Sequence, residues 1–198
     1  AGCRGRPIIF PNMKGQDMIN GNRIILRDKS TEDAWDDYAW ESDPELAHLD
    51  AAPVLPIPYS QFLLDYTYAL RSTRPSSHRF SVYTPDGKHI GNCSYYNLNR
   101  YRSETELGIM IGNRDYWDKG YGTDVVTTLV NHIFGELKLN RIYLKTLESN
   151  IRAQKCFHKC GFNPFGNGNR EGFKFMFMEL HRHQWQEKNK AESQVDVQ

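Results

Sequence analysis

Apolar positions change period along this chain, and the changes mark its elements. Residues 23–27 (Arg-Ile-Ile-Leu-Arg) are short, β-branched and bounded by Gly21-Asn22 and Asp28, the pattern of a first strand. Ser30-Thr31-Glu32-Asp33 then reads as an N-cap with an acidic first turn, opening a helix with Ala34, Trp35, Tyr38 and Ala39 on roughly one side. Pro44 lies just beyond that helix, and Pro53, Pro56 and Pro58 make a loop. Ser60 is placed to cap a second helix, whose Phe62, Leu63, Tyr66 and Leu70 recur at helical spacing. Residues 79–83 and 88–97 flank Thr84-Pro85-Asp86-Gly87, where proline fixes φ and glycine tolerates a positive one, so a β-hairpin is expected. A polar turn at 99–103 leads to a third strand at 105–111.

Beyond residue 120 the rhythm lengthens. Val125, Val126, Leu129, Val130, Ile133 and Phe134 fall on one face of an amphipathic helix over 123–136. Residues 141–147 alternate as a strand, and 151–160 form a short helix stopped by Gly161. A Gly- and Asn-rich stretch, 163–172, reads as a loop before a final strand at 173–180, and 184–198 read as a frayed polar tail. Residues 1–20, broken by Gly2, Gly5, Pro7, Pro11 and Gly15, read as an irregular extension to which Ile8-Ile9-Phe10 could add an edge strand. The expected organisation is one mixed α/β domain over 21–182, between an extension at 1–20 and a polar tail at 183–198.

Composition narrows the class only a little. The chain has 198 residues, 39% hydrophobic and 25% charged, within the ordinary range for one soluble globular domain. A formal net charge of +1 offers no general attraction for nucleic acid or an anionic membrane. No apolar run is long enough to span a bilayer and no secretory core opens the chain. Cys3, Cys93, Cys156 and Cys160 do not form a disulfide framework, which suits a reducing, cytoplasmic setting. Cys156, His158 and Cys160 have no second ligand pair elsewhere, so no metal site is expected. Tyr95, Tyr96, Arg100, Tyr101 and Arg102 interleave aromatics with charge, as on a nucleic-acid platform, but they suit a hairpin lining a substrate cleft equally well.

The chemistry concentrates in Trp117-Asp118-Lys119-Gly120-Tyr121-Gly122-Thr123, between the 105–111 strand and the long helix. Glycines at 120 and 122 permit a tight turn and a close approach of backbone to ligand. The unpaired N–H groups and dipole of the following helix favour an anion there, and Lys119 can add positive charge. A dinucleotide fingerprint would need a third glycine where Val125 stands, and a P-loop would need Gly-Lys-Ser/Thr, which is absent. Taken alone, the motif fits a pyrophosphate cradle or a plain strand-to-helix turn.

A wider set of motifs resolves this. Glu106-Leu107-Gly108, the Trp117–Thr123 turn, Leu147-Glu148-Ser149-Asn150 and Lys159-Cys160-Gly161-Phe162 occur in the order and at the spacings of the GNAT superfamily of acetyltransferases. The chain resembles that superfamily from about residue 23 to residue 180, most closely the branch that acetylates ribosomal-protein N-termini. The resemblance implies a central, mostly antiparallel mixed sheet, splayed into a V and flanked by helices. It implies acetyl-CoA as co-substrate and transfer of an acetyl group to a primary amine, of a protein N-terminus or a small molecule, in a ternary complex. Pantetheine is then expected along Ile109, Met110 and Ile111, and the pyrophosphate on the amides of Trp117, Asp118, Lys119, Gly120, Tyr121, Gly122 and Thr123. Asn150, Ala153, Lys155, Cys156 and Phe157 are expected to flank the pantetheine arm and acetyl end, with Asn150 counted among the catalytic residues. Many members form dimers, so a homodimer is one expected state.

For a lysine-like amine at pH 7, deprotonation costs about 4.6 kcal/mol. Glu106, whose family counterpart faces the acetyl group, is the expected base through water, with Glu104 two residues away on the same face in reserve. Many members carry a tyrosine four residues before the glycine of Gly161-Phe162, to protonate the CoA thiolate. Here that residue is Phe157, leaving water, Cys156 or Tyr121 as substitute donors or the transfer slow. A catalytically weak acyl-CoA-binding module, acting as a sensor or partner subunit, is the competing expectation. Asp43, Glu45, Asp50 and Asp65 are acidic positions that would welcome a cationic acceptor or simply face solvent.

Overall fold

The computed structural model describes residues 18–72 and 75–195. The hydrophobic run of α4 (Tyr121–Gly135) organises the fold. Its Val125, Val126, Leu129, Ile133 and Phe134 are wholly buried, packed with Leu107, Ile142, Leu144 and Met178 of the sheet. Each such side chain contributes about 1.5–3 kcal/mol of hydrophobic stabilisation. The sheet comprises β1 (Met18–Asn20), β2 (Ile25–Asp28), β3 (His78–Tyr83), β4 (His89–Asn99), β5 (Glu104–Met110), β6 (Arg141–Leu147), β7 (Asn163–Arg170) and β8 (Phe173–His181). The strand order is β1-β2-β3-β4-β5-β6-β8-β7. Every neighbouring pair is antiparallel except β5 and β6, which run parallel. This is the mixed, mostly antiparallel sheet expected from the sequence.

The opposite face carries α1 (Ala34–Glu41), α2 (Pro44–Leu49) and α3 (Tyr59–Arg71). Ala34, Phe62 and Tyr66 form their small core. A polar network docks α1 on the sheet. Asp37, 2% exposed, is ion-paired with Lys29 and accepts from Tyr66 Oη at 2.8 Å and Asn92 Nδ2 at 2.6 Å. Beside it the fully buried Asp33 accepts from Ser81 Oγ at 2.8 Å and from the hydroxyl of Tyr83. Burial alone would raise the Asp33 carboxyl, but the donors of Tyr83, Ser30 and Ser81 hold it below the usual carboxylate value.

Five local features differ from the sequence reading. The Gly- and Asn-rich stretch read as a loop is β7, where Gly166 and Gly168 make room for the Phe177 ring; a Cβ at 168 would sit 2.8 Å from it. The tail read as frayed is α6 (Arg182–Val195), held by Trp185, whose ring centroid lies 5.5 Å from that of Phe134 and whose Nε1 donates to Asn131 at 2.7 Å. Pro44 lies just beyond α1 as expected but also begins a further helix, because Asp43 caps α2 by accepting from the N–H groups of Glu45 and Leu46. Residues 18–20, inside the irregular extension, pair with β2, and α3 starts at Tyr59, one residue before the expected Ser60 cap. Ile8-Ile9-Phe10 lies outside the described residues.

Candidate functional site

Parallel pairing of β5 with β6 runs from Glu104↔Arg141 to Glu106↔Tyr143 and then stops. β5 keeps its β4 partners as far as Met110, so its other edge opens as β6 diverges. A cavity of about 540 Å³ lies in this V. Ile109, Met110 and Ile111 line one wall, Lys145, Thr146 and Leu147 the other.

The turn at 117–123 closes one end of the cavity. Trp117 Nε1 donates to the Ile111 carbonyl at 2.6 Å, fixing the turn to the end of β5. Asp118 and Gly120 both adopt the left-handed conformation, at φ +56° and +84°, a strained choice for aspartate and an easy one for glycine. Asp124 then accepts the N–H groups of Asn22 and Arg23 at 3.1 and 2.7 Å, so its charge serves the β1–β2 connection. The first N–H groups of α4 follow Gly120 directly.

Most of the expected cofactor residues come together. Trp117, Asp118, Gly120, Gly122, Thr123, Asn150, Ala153, Lys155, Cys156 and Phe157 line the cavity along with 109–111. Lys119 and Tyr121 do not. The Lys119 carbonyl accepts from Arg23 Nη1 at 2.9 Å, and the Tyr121 ring packs edge-on against Tyr116 at 4.9 Å. Tyr121 is therefore poorly placed to protonate a thiolate. Arg152, which the sequence pattern did not single out, lies 3.3 Å over the Trp117 ring, and burial pulls its guanidinium below the ordinary value. With Lys145, Lys155 and Lys159 it makes the cavity lining cationic.

On α5 (Ile151–Lys159) the Asn150 side chain caps the helix, its Oδ1 accepting from Ala153 N at 3.1 Å. Its amide nitrogen is the group left to offer the cleft. Cys156 Sγ lies 3.6 Å from Thr123 Oγ1 and would meet a Cβ at Gly122 at 3.5 Å, which places it against the 117–123 turn. Hydrogen bonding from Cys160, helped by Thr123 and Lys159 and opposed by burial, holds its thiol below the ordinary value. Phe157 is buried, its ring edge-on to Phe162 at 6.0 Å. Among the described residues no group of three His, Cys, Asp or Glu is arranged to hold a metal.

Glu106 is 7% exposed and belongs to the β5 face that looks toward α1 and α2. It accepts from Tyr96 Oη and Asn97 Nδ2, both at 2.9 Å, and Lys145 Nζ lies 3.8 Å away. It does not line the cavity; Tyr96 does. The reserve, Glu104, is committed to Arg141 at 2.6 Å. A second cavity of about 440 Å³ opens on this side of β5, meeting the first at Asp50, Tyr96 and 108–110. Asp37, Glu41 and Asp50 line it together with two cations, Lys29, which is paired to Asp37, and Arg79, so that the carboxylates are in excess by one. Burial raises the carboxyls of Glu41 and Asp50, the former also through repulsion from Asp37. Of the acidic positions singled out in the sequence, only Asp50 reaches a cavity. Asp43 and Glu45 bind Arg114 at 2.8 and 2.7 Å, and Asp65 accepts from Gln61 at 3.0 Å.

The aromatics considered for a nucleic-acid platform are dispersed. Tyr95 is in the core, Tyr96 turns to Glu106, Arg100 donates to the Leu137 carbonyl, and Tyr101 stands 98% exposed.

Residues 23–163 match the acetyltransferase (GNAT) domain model. The chain belongs to the GNAT acetyltransferase family. An uncharacterized N-acetyltransferase, p20, of Bacillus licheniformis is 27% identical over 146 residues, 73% of this chain and 81% of that protein. The spermine/spermidine N(1)-acetyltransferase of Bacillus subtilis is 27% identical over 139 residues, 65% of this chain and 91% of that protein. The spermidine N-acetyltransferase of Vibrio cholerae in complex with CoA and spermine shares the fold at a TM-score of 0.72 and 17% identity, over 82% of this chain and 98% of that one. An aminoglycoside acetyltransferase, AAC(6′)-Ib, with coenzyme A superposes at 0.70 with 19% identity, over 84% and 99%.

As a GNAT acetyltransferase the protein takes acetyl-CoA as co-substrate and acetylates an amine. No helix among the described residues is long and apolar enough to cross a membrane. Tyr96, Lys145 and Arg152 are the cleft residues that sequence reasoning left without a cofactor or catalytic role. Lys145 had a legible signal, a charge inside an alternating strand two residues before its end. Arg152 could have been suspected from its place in the first turn after the Asn150 cap.

Proposed function

We propose that the acceptor is a cationic primary amine on a small molecule, of the polyamine or aminosugar kind. The observation that carries this reading is the acidic acceptor-side cavity. Glu41 and Asp50 carry carboxyls whose ionised forms are disfavoured by burial, and an ammonium group entering between them relieves that cost. The named relatives acting on spermine, spermidine and aminoglycosides agree with it. None of the relatives named above is a ribosomal-protein acetyltransferase, and the acidic cavity favours a compact polycation over an ordinary protein N-terminus.

In this reading acetyl-CoA lies with its pyrophosphate on the amides of 117–123 and beside Arg152 and Lys155. The pantetheine arm runs along 109–111, where the open edge of β5 offers backbone groups as a missing strand would. A backbone N–H near Ile109 or Met110 polarises the thioester carbonyl. Asn150 donates to the arm from its amide nitrogen. The acceptor comes from the α1–α2 side, where the two cavities join.

Two measurements test this. Acetyl-CoA binding by calorimetry should be micromolar for the wild type and lost in Gly120→Glu, which strains a residue at φ +84° and adds a negative charge where phosphates rest. A CoA-release assay across spermidine, an aminoglycoside and a peptide with a free N-terminus should favour the polycations by at least about tenfold in kcat/KM. Binding without turnover of any amine would support the acyl-CoA-binding alternative suggested by Phe157. Preference for the peptide would overturn the assignment of the acceptor.

A further inference from the structure

Glu106 is the expected base, yet it stands behind the cavity wall with its carboxylate oxygens already engaged. Oε1 accepts from Tyr96 Oη at 2.9 Å and Oε2 from Asn97 Nδ2 at 2.9 Å. Tyr96 and Glu106 are direct cross-strand partners on β4 and β5, so their side chains share the face toward α1 and α2. The ladder is interrupted just beyond them, where Asn97 takes φ +54° and adds its amide to the same carboxylate. The Tyr96 ring reaches its place because residue 108 is glycine: a Cβ there would stand 3.2 Å from Tyr96 Cε1. Tyr96 lines both cavities, at the point where the acceptor and the thioester must meet.

We infer that the Tyr96 hydroxyl is the group that meets the acceptor nitrogen and relays its proton to Glu106. This rests on the acetyltransferase reading of the cleft and extends it. A phenolic hydroxyl has one hydrogen, and here it points to a carboxylate that can only accept. What remains for the cavity is acceptor lone pairs, suited to an N–H donor and unsuited to protonating a thiolate. The substrate enters as an ammonium ion. One N–H proton passes to the Tyr96 oxygen while the hydroxyl proton passes to Glu106, so the tyrosine stays neutral, the carboxylate becomes a carboxylic acid and the amine is free. The nitrogen lone pair forms the C–N bond to the thioester carbonyl carbon, and the displaced π electrons rest on oxygen. Collapse reforms the carbonyl and breaks the C–S bond, whose electrons leave on the CoA sulfur. The second N–H proton is passed to that thiolate, and Glu106 returns its proton to solvent. Phe157 is then no obstacle to the first half of the reaction, because the relay lies on the other side of β5.

The test compares wild type, Tyr96→Phe, Glu106→Gln and the double variant with primary amines whose pKa runs from about 10.4 down to about 8. Acetyl-CoA affinity, measured separately, should stay within about twofold in all four, since Tyr96→Phe keeps the ring that lines the first cavity and Glu106 does not line it. With the most basic amine each single variant should lose about 100-fold in kcat/KM, and the double variant no more than the worse single one. The deficit should shrink steadily as amine pKa falls, because less deprotonation is asked of the relay. A deficit independent of amine pKa, additive losses, or a phenylalanine variant within threefold of wild type would overturn the relay while leaving the acetyltransferase reading intact. Should Tyr96→Phe be too unstable to assay, Glu106→Gln retains the ring and carries the same dependence on amine pKa. A wild type that binds no acetyl-CoA would remove both readings together.

Discussion

Replacing Asp37 with alanine tests the platform on which the acceptor cavity rests. Asp37 is 2% exposed and receives Lys29, Tyr66 and Asn92, joining β2, α3 and β4 to α1 at one carboxylate. Lys29, its side chain 7% exposed, would keep the Asn92 Oδ1 hydrogen bond at 2.6 Å, the Tyr66 ring at 5.7 Å and the more distant charge of Asp33, but would lose its paired carboxylate. Burial already pulls the Lys29 ammonium below its ordinary value, with Asp37 as the main opposing influence. Removing one partner of such a pair costs about 3–5 kcal/mol. For a chain of this length each kcal/mol is worth about 2–4 °C, so a central value near 4 kcal/mol predicts a Tm lower by about 8–16 °C. Urea titration and thermal melts at pH 7 measure both. The double variant Lys29→Met with Asp37→Leu removes both charges and should recover all but about 2 kcal/mol, because the desolvation cost disappears with the attraction. A single variant within about 1 kcal/mol of wild type, or a double variant no better than the single, would refute the reasoning. Acetyl-CoA affinity should be unchanged in the double variant while acceptor KM rises, since α1 carries Glu41 into the acceptor cavity and touches no part of the anion turn.

Three further outcomes are expected. Asp50→Asn should raise acceptor KM about tenfold, or about 1.4 kcal/mol, with no change in acetyl-CoA affinity. It should also raise the Tm slightly at pH 7: burial lifts the folded carboxyl above its unfolded value, so ionisation there costs stability, a cost that fades as pH falls through the raised value. For the same reason acceptor binding should weaken on acidification at a pH above the usual carboxylate range, as steady-state kinetics from pH 4 to 8 would show. Alkylation of Cys156 should rise with pH along a titration centred below the ordinary thiol value of about 8.5, and acetyl-CoA should slow it by covering the turn. A midpoint at or above that value would refute the hydrogen-bonded thiolate. Trp185→Ala should destabilise the fold by about 1–2 kcal/mol through lost packing on Phe134, leaving acetyl-CoA affinity unaltered, as denaturation and calorimetry would reveal.

Legibility in the sequence followed how local each feature's cause is. α4 was readable because its apolar period is unbroken, and the 117–123 turn because its glycines and the following helix are contiguous. β7 was not, since Gly166, Gly168 and three asparagines lack strand propensity and the strand exists through its pairing with β8. The helix α2 is six residues long and opens on proline, too short for periodicity to register. The acidic residues make the sharper case. Asp43, Glu45 and Asp50 are neighbours of the same chemical type, and what separates them is Arg114, about 70 positions away, which takes the first two and leaves the third to the cavity. Likewise the burial of Glu106 behind Tyr96 depends on the β4–β5 register, which a bulge at Asn97 helps to set and no single-strand pattern encodes.

One break in the sheet explains why the bulk charge was uninformative. Along β5 the side chains alternate, so Thr105 and Leu107 enter the α4 core while Glu106, Gly108 and Met110 face α1 and α2. Where β6 diverges, the open edge lies between those two faces, and a ligand along it can be approached from the α1–α2 side. The lining is divided accordingly. Lys145, Arg152, Lys155 and Lys159 outnumber Asp50 and Asp118 around the first cavity, and Asp37, Glu41 and Asp50 outnumber Lys29 and Arg79 around the second. Such local excesses of opposite sign are invisible in the sum over the chain, where 25 Lys and Arg against 24 Asp and Glu leave a net charge of +1. On the acceptor assignment proposed above, the two ligands should respond differently to pH: screening should weaken both, but acidification should discharge mainly the acceptor side, because guanidinium and ammonium groups stay charged where carboxyls raised by burial do not. A site with one mixed lining would lose both ligands together.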